Sequence, residues 1–354
     1  MSEEVQSHGW DAIEQSMSKL YGVQEPKHYG TLIPYMLGGR DPLDGISAYK
    51  AERPFPHWHI VTFGFSELYE KESADTESSG YGFELTFRLP RGEDEEEPPG
   101  WALNLLQNMG RYVFKSGNVF RTGDYLDANG PICLNADTKL TALAFIEDPE
   151  LPPIDTPNGH VEFIQMVGIT GCELEAMQTW NTRGMLKACE EHMPHYITDL
   201  SRESFVEKPE IAEAVQKGME RDGSSTGFLY VDQLGWEPGK KRLLGKSQAV
   251  LRLGAKQAEV VAKLLTGRIR KGKSLSLSGP DTLVVLKPGE QSVWEEGEKG
   301  EVHIYLDEAC TSELSQRLQP KEGIVQLLAC KSLTVQILKT YIKDQDGNVV
   351  STIG

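Results

Sequence analysis

The chain has 354 residues, of which 39% are hydrophobic and 25% charged, and its formal net charge is −17. These proportions are typical of a globular protein, and the length exceeds that of one typical core, so we expect two domains. The negative charge argues against nonspecific nucleic-acid binding, because phosphate contacts need a basic surface. The sequence has no apolar run of about 18 residues and no apolar N-terminal signal. We therefore expect a cytoplasmic protein with no membrane partner, and we expect it to be monomeric.

In the first half, apolar residues at helical spacing predict helices over residues 10–21, 101–115, 172–189 and 209–219. Strands are predicted over 30–37, 57–65, 81–89, 138–145, 161–170 and 227–233. The strand at 81–89 is the clearest, because its apolar and polar residues alternate. We expect it to be half-buried and paired with 57–65. The acidic run at 92–97 is predicted to be a solvated loop.

Residues 235–239 have the turn-rich composition of a boundary, which predicts domains over 1–238 and 239–354 joined by a short hinge. Beyond it, strands are predicted over 249–253, 274–277, 282–286, 302–306, 324–328 and 333–341, and helices over 256–265 and 312–318. Strands mixed with a few helices, without regular βαβ alternation, predict an α+β fold. We expect two lobes, each a mixed or antiparallel sheet with flanking helices.

The five cysteines are scattered and form no CxxC motif. This pattern favours free thiols in a reducing compartment over a disulfide framework. His57 and His59 share one strand face, and His192 and His195 follow a predicted helix, but no further metal ligand can be identified at either place. We therefore predict no metal and no cofactor. The sequence contains no GxSxG elbow, so it indicates no specific hydrolase.

The segment from Gly267 to Ser274 satisfies the P-loop pattern GxxxxGK[ST]. A working P-loop follows a strand and opens a helix, whose N-terminal amides hold the phosphates. Here a predicted helix precedes the segment and a predicted strand follows it. We therefore interpret it as a basic helix-to-strand turn, within a stretch (240–274) that holds eleven Lys or Arg and one acidic residue. A nucleotide-binding enzyme using this turn remains the less favoured alternative.

A protein-binding function has better support in the composition of one loop. Tyr112 and Phe120 flank a loop that carries Asp124 and Asp127. Aromatic side chains with a few acids are suited to gripping a peptide, because the rings bury area and the acids orient the ligand. The alternative is that Tyr112 is a core residue on its helix.

Several longer motifs occur together in the first half of the chain: YMLGGRDPLD at 35–44, HWHIVTFGFSELY at 57–69, GYGFELTFRL at 80–89, RYVF at 111–114, GD at 123–124 and EDP at 147–149. Their order and spacing resemble the suppressor of fused family in its compact bacterial form. The resemblance covers nearly all of residues 1–235 and is carried in the second half mainly by LLTGR at 264–268.

This resemblance implies a two-lobed, non-enzymatic binding protein. In animal members, an extended peptide of a zinc-finger transcription factor adds as a strand in the cleft between the lobes. Carried over by position, the partner-binding residues are Tyr112, Phe120, Asp124 and Asp148, with Val260 on the second lobe. The aromatic rings would flank the peptide, and the carboxylates would hold its polar or cationic groups. Binding also implies closure of the lobes about residues 235–239.

The chain departs from the animal members in two ways that affect the partner. The long disordered insertion in their second half is missing, and Lys256 stands where they carry an acidic cleft residue. Bacterial relatives include immunity proteins that neutralise secreted toxins. A chain with a net charge of −17 fits a basic toxin. The partner is therefore an unidentified protein or peptide, with an immunity protein against a toxin as the alternative.

Overall fold

The structure is a computed structural model that describes residues 6–33, 35, 38–239, 248–297, 300–343 and 348–354. Within these ranges the chain is mixed α+β, with several sheets and seven α-helices, which confirms the predicted fold class. Its contacts divide it into a first unit, Met1–Leu174 with Leu186–Glu207, and a second unit, Glu175–Met185 with Lys208–Gly354. The predicted domains over 1–238 and 239–354, the two lobes and the hinge stay predictions.

The helices confirm most of the predicted helical segments, with boundaries that differ by a few residues. They are α1 (His8–Tyr21), α2 (Gly100–Ser116), α3 (Gly171–Thr179), α4 (Thr182–Cys189), α5 (Pro209–Asp222), α6 (Ala255–Arg268) and α7 (Glu308–Arg317). The prediction of one helix over 172–189 is wrong, because α3 and α4 replace it. The side-chain Oδ1 of Asn181 accepts from the N–H of Gly184 at 2.6 Å and so caps a new helix at this point.

One sheet dominates the first unit. Its strands are β1 (Lys27–Gly30), β2 (Gly45–Ala51), β3 (His57–Phe63), β4 (Ser78–Pro90), β5 (Tyr125–Asp127), β6 (Leu140–Glu147), β7 (Ile154–Thr156) and β8 (Gly159–Thr170). The order is β1-β2-β3-β4-β8-β6-β5, with β7 paired to β8. Only β4 and β8 run parallel; the other pairs are antiparallel, including the predicted pair β3 and β4. The predicted strand over 30–37 is wrong, since β1 ends at Gly30; Pro34, Met36 and Leu37 lie outside the described residues.

Both faces of β4 are buried, so the prediction of a half-buried strand is wrong. Its apolar side chains, Phe83 to Leu89, share a core cluster with α2. The side chains between them, Glu84, Thr86 and Arg88, are 0% exposed although they are polar. On their side of the sheet, α1 packs with β2, β3 and β8 in a separate core cluster. Alternation along β4 thus separates two interior environments rather than interior from solvent.

The acidic run at 92–97 is attached to the edge of this sheet. Lys27 Nζ donates to Glu97 Oε1 at 2.7 Å, and Lys50 Nζ donates to Glu96 Oε2 at 2.6 Å. Both glutamates remain exposed, so the predicted solvation is correct, although the run does not point freely into solvent. Exposed ion pairs of this kind contribute about 0–1 kcal/mol each.

The second unit contains two larger sheets and a hairpin. Their strands are β9 (Phe228–Tyr230), β10 (Gly235–Glu237), β11 (Ala249–Gly254), β12 (Leu275–Ser278), β13 (Leu283–Pro288), β14 (Val293–Glu296), β15 (Glu301–Leu306), β16 (Gly323–Gln326), β17 (Leu333–Leu338), β18 (Thr340–Lys343) and β19 (Val349–Ile353). The orders are β10-β11-β17-β16, β14-β15-β13-β12-β9 and β18-β19. Side chains of α6 and α7 pack with both larger sheets in one core. The predicted hinge contains β10, and the predicted strand over 333–341 is two strands.

Candidate functional site

Tyr112, Phe120 and Asp124, which the sequence predicts to contact a partner, lie close together on the first unit. Phe120 is 6% exposed and stacks on Phe145, with ring centroids 4.1 Å apart. Tyr112 stacks on Phe120 at 5.6 Å and is 37% exposed. The side-chain Nδ2 of Asn118 donates to the Tyr112 hydroxyl at 3.1 Å. We call Tyr112, Phe120 and Asp124 the Tyr112 face.

Helix α2 and strand β6 position this face. The helix ends at Gly117, whose φ of 73° is in the left-handed region that glycine adopts without strain, and its N–H donates to the carbonyl of Val113 at 2.8 Å. The chain then turns towards β5. The N–H of Gly123 donates to the carbonyl of Phe145 at 2.8 Å, and the N–H of Phe145 donates to the carbonyl of Asp124 at 3.0 Å. Phe145 thus fixes the ring of Phe120 and the backbone of Asp124 together.

The Tyr112 face offers a rigid aromatic surface with an acid beside it. The buried residues of α2 do not include Tyr112, so the alternative that it is a core residue is wrong. Asp124 is exposed, and its Oδ2 accepts from the N–H of Arg121 at 2.8 Å, which orients the carboxylate. A tyrosine held by stacking loses little conformational entropy on binding, and its hydroxyl remains able to bond. This combination is typical of protein recognition surfaces.

Asp148, the fourth predicted contact residue, lies in the interior of the first unit. Its Oδ2 accepts from Thr86 Oγ1 at 2.6 Å, Arg88 Nη1 at 2.7 Å and His59 Nε2 at 3.2 Å. Its Oδ1 accepts from Arg88 Nη2 at 3.0 Å and from the N–H groups of Glu150 and Leu151 at 2.9 and 3.0 Å. Six donors therefore occupy a carboxylate that is buried from solvent. Its role in partner binding stays a prediction, while its geometry gives it a structural role.

The buried groups around Asp148 shift one another's pKa values. Burial alone would raise the pKa of Asp148, but hydrogen bonds from His59 and Arg88, with the positive charge of Arg88, hold that pKa well below its usual range. Burial and the nearby Arg88 cation lower the pKa of His59, so His59 is neutral. Tyr21 Oη and Arg88 Nη2 approach His59 Nδ1 at 2.7 and 3.3 Å. Since Arg88 can only donate, Nδ1 is the acceptor and Nε2–H donates to Asp148.

The same arginine extends this network to a turn with unusual backbone geometry. Arg88 Nη1 donates to Gln165 Oε1, and Gln165 Nε2 donates to the carbonyls of His195 and Tyr196 at 2.8 and 3.0 Å. His195 and Tyr196 have φ values of 51° and 53°, which non-glycine residues rarely adopt. The buried polar network therefore helps to hold this turn.

Val260 lies on α6 in the second unit, where it is half-buried and packs against the core of that unit. Its role in partner binding stays a prediction. Lys256 is half-buried at the start of the same helix, and its N–H donates to Thr340 Oγ1 at 3.2 Å.

The turn from Gly267 to Ser274 follows a helix and precedes a strand, which confirms the predicted order. Lys271 Nζ donates to the carbonyl of Glu220 at 2.5 Å, and Lys273 Nζ donates to the carbonyl of Asp222 at 3.0 Å. Both acceptors are at the C-terminal end of α5, where cations are favourable. Two of the basic side chains thus form hydrogen bonds within the second unit.

The histidines that the sequence analysis considered as metal ligands contact other residues of the protein. His57 Nδ1 donates to the carbonyl of Phe55 at 2.8 Å, and burial lowers the pKa of His57 to about 4. His192 stacks on Phe205, with ring centroids 5.8 Å apart. Across the described residues, no group of three or more His, Cys, Asp and Glu side chains is arranged to hold a metal. In the same ranges, no helix is both long and apolar enough to span a membrane.

Two residues of the site were not predicted from the sequence. Asn118 donates to the Tyr112 hydroxyl and directly follows Gly117. A glycine after an apolar helical pattern indicates a helix end, so the sequence could have placed Asn118 just beyond the helix. Phe145 is the base of the aromatic stack. It lies in a predicted strand, but its contact with Phe120 depends on the fold.

Comparison with known proteins identifies relatives of the first part of the chain. The family model described as "Suppressor of fused protein (SUFU)" matches residues 39–203. The human and mouse proteins named "Suppressor of fused homolog" are each 39% identical over 235 residues, which is 61% of this chain. The match covers 48% of each relative, so the chain spans about half the length of the curated relatives it matches.

Solved structures extend the similarity along the chain. The crystal structure of Drosophila Suppressor of Fused matches 95% of this chain and 99% of that chain, with a TM-score of 0.78 and 25% sequence identity. A chain in a structure described as the Sufu-Fu complex matches 60% of this chain and 98% of that chain, with a TM-score of 0.56 and 36% identity.

Proposed function

Because the chain belongs to the suppressor of fused family, we propose that it is a non-enzymatic protein that binds a partner protein through the Tyr112 face. One relative is described in a complex, Sufu with Fu, so partner binding has a precedent in the family. The observation that carries this proposal is the exposed, stacked ring of Tyr112 beside the exposed carboxylate of Asp124.

In this proposal, Tyr112 supplies most of the binding energy and Asp124 sets the orientation. A partner segment covers the exposed part of the Tyr112 ring, which Phe120 and Phe145 already hold in place. Truncating a tyrosine of this kind typically weakens binding by about 2 kcal/mol or more, which is about 30-fold in Kd. Asp124 pairs with a polar or cationic group of the partner by a charge-assisted bond. Exposed charges of this kind act mainly on association rate and specificity.

The finer form of the proposal has the partner segment lying as a strand in a cleft between two lobes. It also places Val260 on the other side of that segment and Asp148 among the contacts, in a monomeric cytoplasmic protein. The resemblance to the family is its support. The buried position of Asp148 favours an indirect contribution, through the shape of the first unit.

A narrower proposal concerns the identity of the partner. The net charge of −17 supports a basic partner, and an immunity protein of bacterial type that neutralises a basic toxin is the specific case. Co-expression with a toxin encoded by a neighbouring gene tests this case. Restored growth supports it, and unchanged toxicity contradicts it without affecting the broader proposal of partner binding.

The nucleotide-binding alternative has little structural support. Lys273, which would contact phosphates, donates to the carbonyl of Asp222, and no helix begins at Ser274. Calorimetry with ATP and GTP tests the alternative directly, and the proposal of protein binding predicts no heat of binding.

Affinity capture from the native cell, read by mass spectrometry, tests the proposed function. We expect the unaltered chain to recover a specific protein that Tyr112→Ala loses. Tyr69→Ala is a matched control, because Tyr69 is 43% exposed in the same unit and lies outside the aromatic stack. Equal recovery with Tyr112→Ala and with Tyr69→Ala would contradict the assignment of the Tyr112 face.

A further inference from the structure

Two of the five cysteines lie in the same buried cluster of the second unit. Cys310 is 0% exposed and Cys330 is 5% exposed, and both belong to the core around α6 and α7. Cys310 is in the first turn of α7, where its N–H donates to Asp307 Oδ1 at 2.8 Å. Cys330 lies in the irregular segment between β16 and β17. The other three cysteines, Cys133, Cys172 and Cys189, belong to the first unit.

A second interaction fastens α7 to the segment that carries Cys330. Glu313 lies three residues after Cys310, so the two side chains share one face of the helix. The carboxylate of Glu313 accepts from the N–H of Leu328 at 2.9 Å and from the N–H of Ala329 at 2.8 Å. Cys330 follows directly, and its Sγ donates to the carbonyl of Ser292 at 3.8 Å. The hydroxyl of the same serine accepts at 3.1 Å from the N–H of Asp307, the residue that caps α7 and accepts from the N–H of Cys310. Both cysteines thus lie in one small cluster around Ser292, where each thiol influences the pKa of the other.

The surroundings of the two thiols differ in a way that gives them different chemistry. The hydrogen bond from Cys310 lowers the pKa of Cys330 to about 6, with help from the Ser332 hydroxyl at 3.3 Å and from the N–H groups of Ser332 and Leu333. The bond to Cys330 and burial both raise the pKa of Cys310. The lowered pKa favours Cys330 as the thiol that reacts first and Cys310 as its resolving neighbour.

We propose that Cys310 and Cys330 form a reversible disulfide when the protein meets a hydroperoxide, so that this pair is a redox modification site. The Cys330 sulfur attacks one peroxide oxygen, the O–O bond breaks, and the departing oxygen leaves as water, giving a sulfenic acid at Cys330. The Cys310 sulfur then attacks the Cys330 sulfur. The S–O bond breaks, and the hydroxide that leaves takes up the thiol proton as a second water. In total, two thiols lose two electrons and one hydrogen peroxide gains them.

The location of Cys330 supports access by a small oxidant. Its neighbours Ala329 and Lys331 are exposed, and Leu328 is 80% exposed, so Cys330 lies in a segment at the surface of the second unit. The disulfide would join α7 to the segment before β17. Because it would shorten the free loop in the unfolded chain, we expect the oxidised second unit to be more stable than the reduced one.

Peptide mapping of the whole chain tests this proposal. Reduced protein is treated with hydrogen peroxide, free thiols are alkylated, and the protein is digested with trypsin. We expect peptide 300–317 to be joined to peptide 322–331, the free thiol count to fall from five to three, and dithiothreitol to restore five. Cys172→Ser removes the exposed cysteine and leaves the joined peptides unchanged, with the free thiol count falling from four to two. Cys310→Ser abolishes the joined peptides and leaves a sulfenic acid at Cys330 that dimedone traps. If peroxide oxidises Cys172 while Cys310 and Cys330 are both recovered alkylated, the proposal is overturned.

Discussion

Replacing Asp148 with alanine should strongly destabilise the first unit, although the sequence resemblance places this residue among the partner contacts. The substitution removes all six hydrogen bonds that its carboxylate accepts and leaves Arg88 buried beside an apolar methyl group. Removing one partner of a buried ion pair costs about 3–5 kcal/mol. Glu150 Oε2 still accepts from Arg88 Nη2 at 3.0 Å, so we expect the lower end, ~3 kcal/mol.

A loss of this size is a large part of the stability of a domain, which is about 5–15 kcal/mol. For a unit of this size it corresponds to a decrease in Tm of roughly 6–12 °C. Thermal unfolding followed by circular dichroism measures the change, and hydrogen exchange of the β4 and β8 amides assigns it to the first unit. Asp94→Ala is the matched control, because the same substitution at this exposed site of the first unit should change stability by less than about 0.5 kcal/mol. If the two variants melt within about 1 °C of each other, the carboxylate of Asp148 does not hold the interior together.

Three further predictions concern pH, the basic turn and the aromatic stack. His57 is neutral when folded, with a pKa of about 4 against 6.5 in a model peptide, so unfolding takes up a proton between these values. The free energy of unfolding should therefore fall by ~3 kcal/mol as the pH falls from 6.5 to 4, and His57→Gln should flatten this slope in urea titrations; an unchanged slope would contradict the reasoning. Lys273→Ala should lower stability by about 0.5–1 kcal/mol through loss of its bond to Asp222, and calorimetry should detect no ATP binding before or after the change. Phe120→Ala should cost about 3–5 kcal/mol, because the ring is buried between Tyr112 and Phe145, and an unaffected Tm would show that the stack does not hold Tyr112.

The sequence predicted most of the long elements, because their periodicity extends over several turns or residue pairs, but it missed the seven-residue strand β2. Strand β4 is the clearest case, and its pairing with β3 is as expected. The burial of its polar face was not predictable from β4 itself. Arg88 bonds to Asp148 and Gln165, which lie 60 and 77 residues away in the sequence, so its environment is created only by the folded chain.

Short elements were missed for a related reason. Strands β5, β7 and β10 have three residues each, which is too short to show an alternation of apolar and polar residues. Their formation depends on the partner strands. The division between α3 and α4 could have been predicted from Asn181, because asparagine is a residue type that favours the start of a helix.

The candidate site came partly from composition and partly from the family resemblance. Composition placed Tyr112 and Asp124 in one aromatic and acidic loop, but it could not separate an exposed ring from a core ring. The structure settles this point for Tyr112, which is 37% exposed while it stacks on Phe120. The resemblance grouped Asp148 with them, but the carboxyl group of Asp148 lies inside the sheet-packed interior.

Partner capture by charge-reversed variants tests the central claim most directly. Asp124→Arg and Asp94→Arg change the net charge equally at exposed positions of the first unit, and only the first lies in the Tyr112 face. With quantitative affinity capture from the native cell, we predict that Asp94→Arg recovers the same partner as the unaltered chain and that Asp124→Arg, although folded, recovers none. Equal recovery by both folded variants would contradict binding through the Tyr112 face.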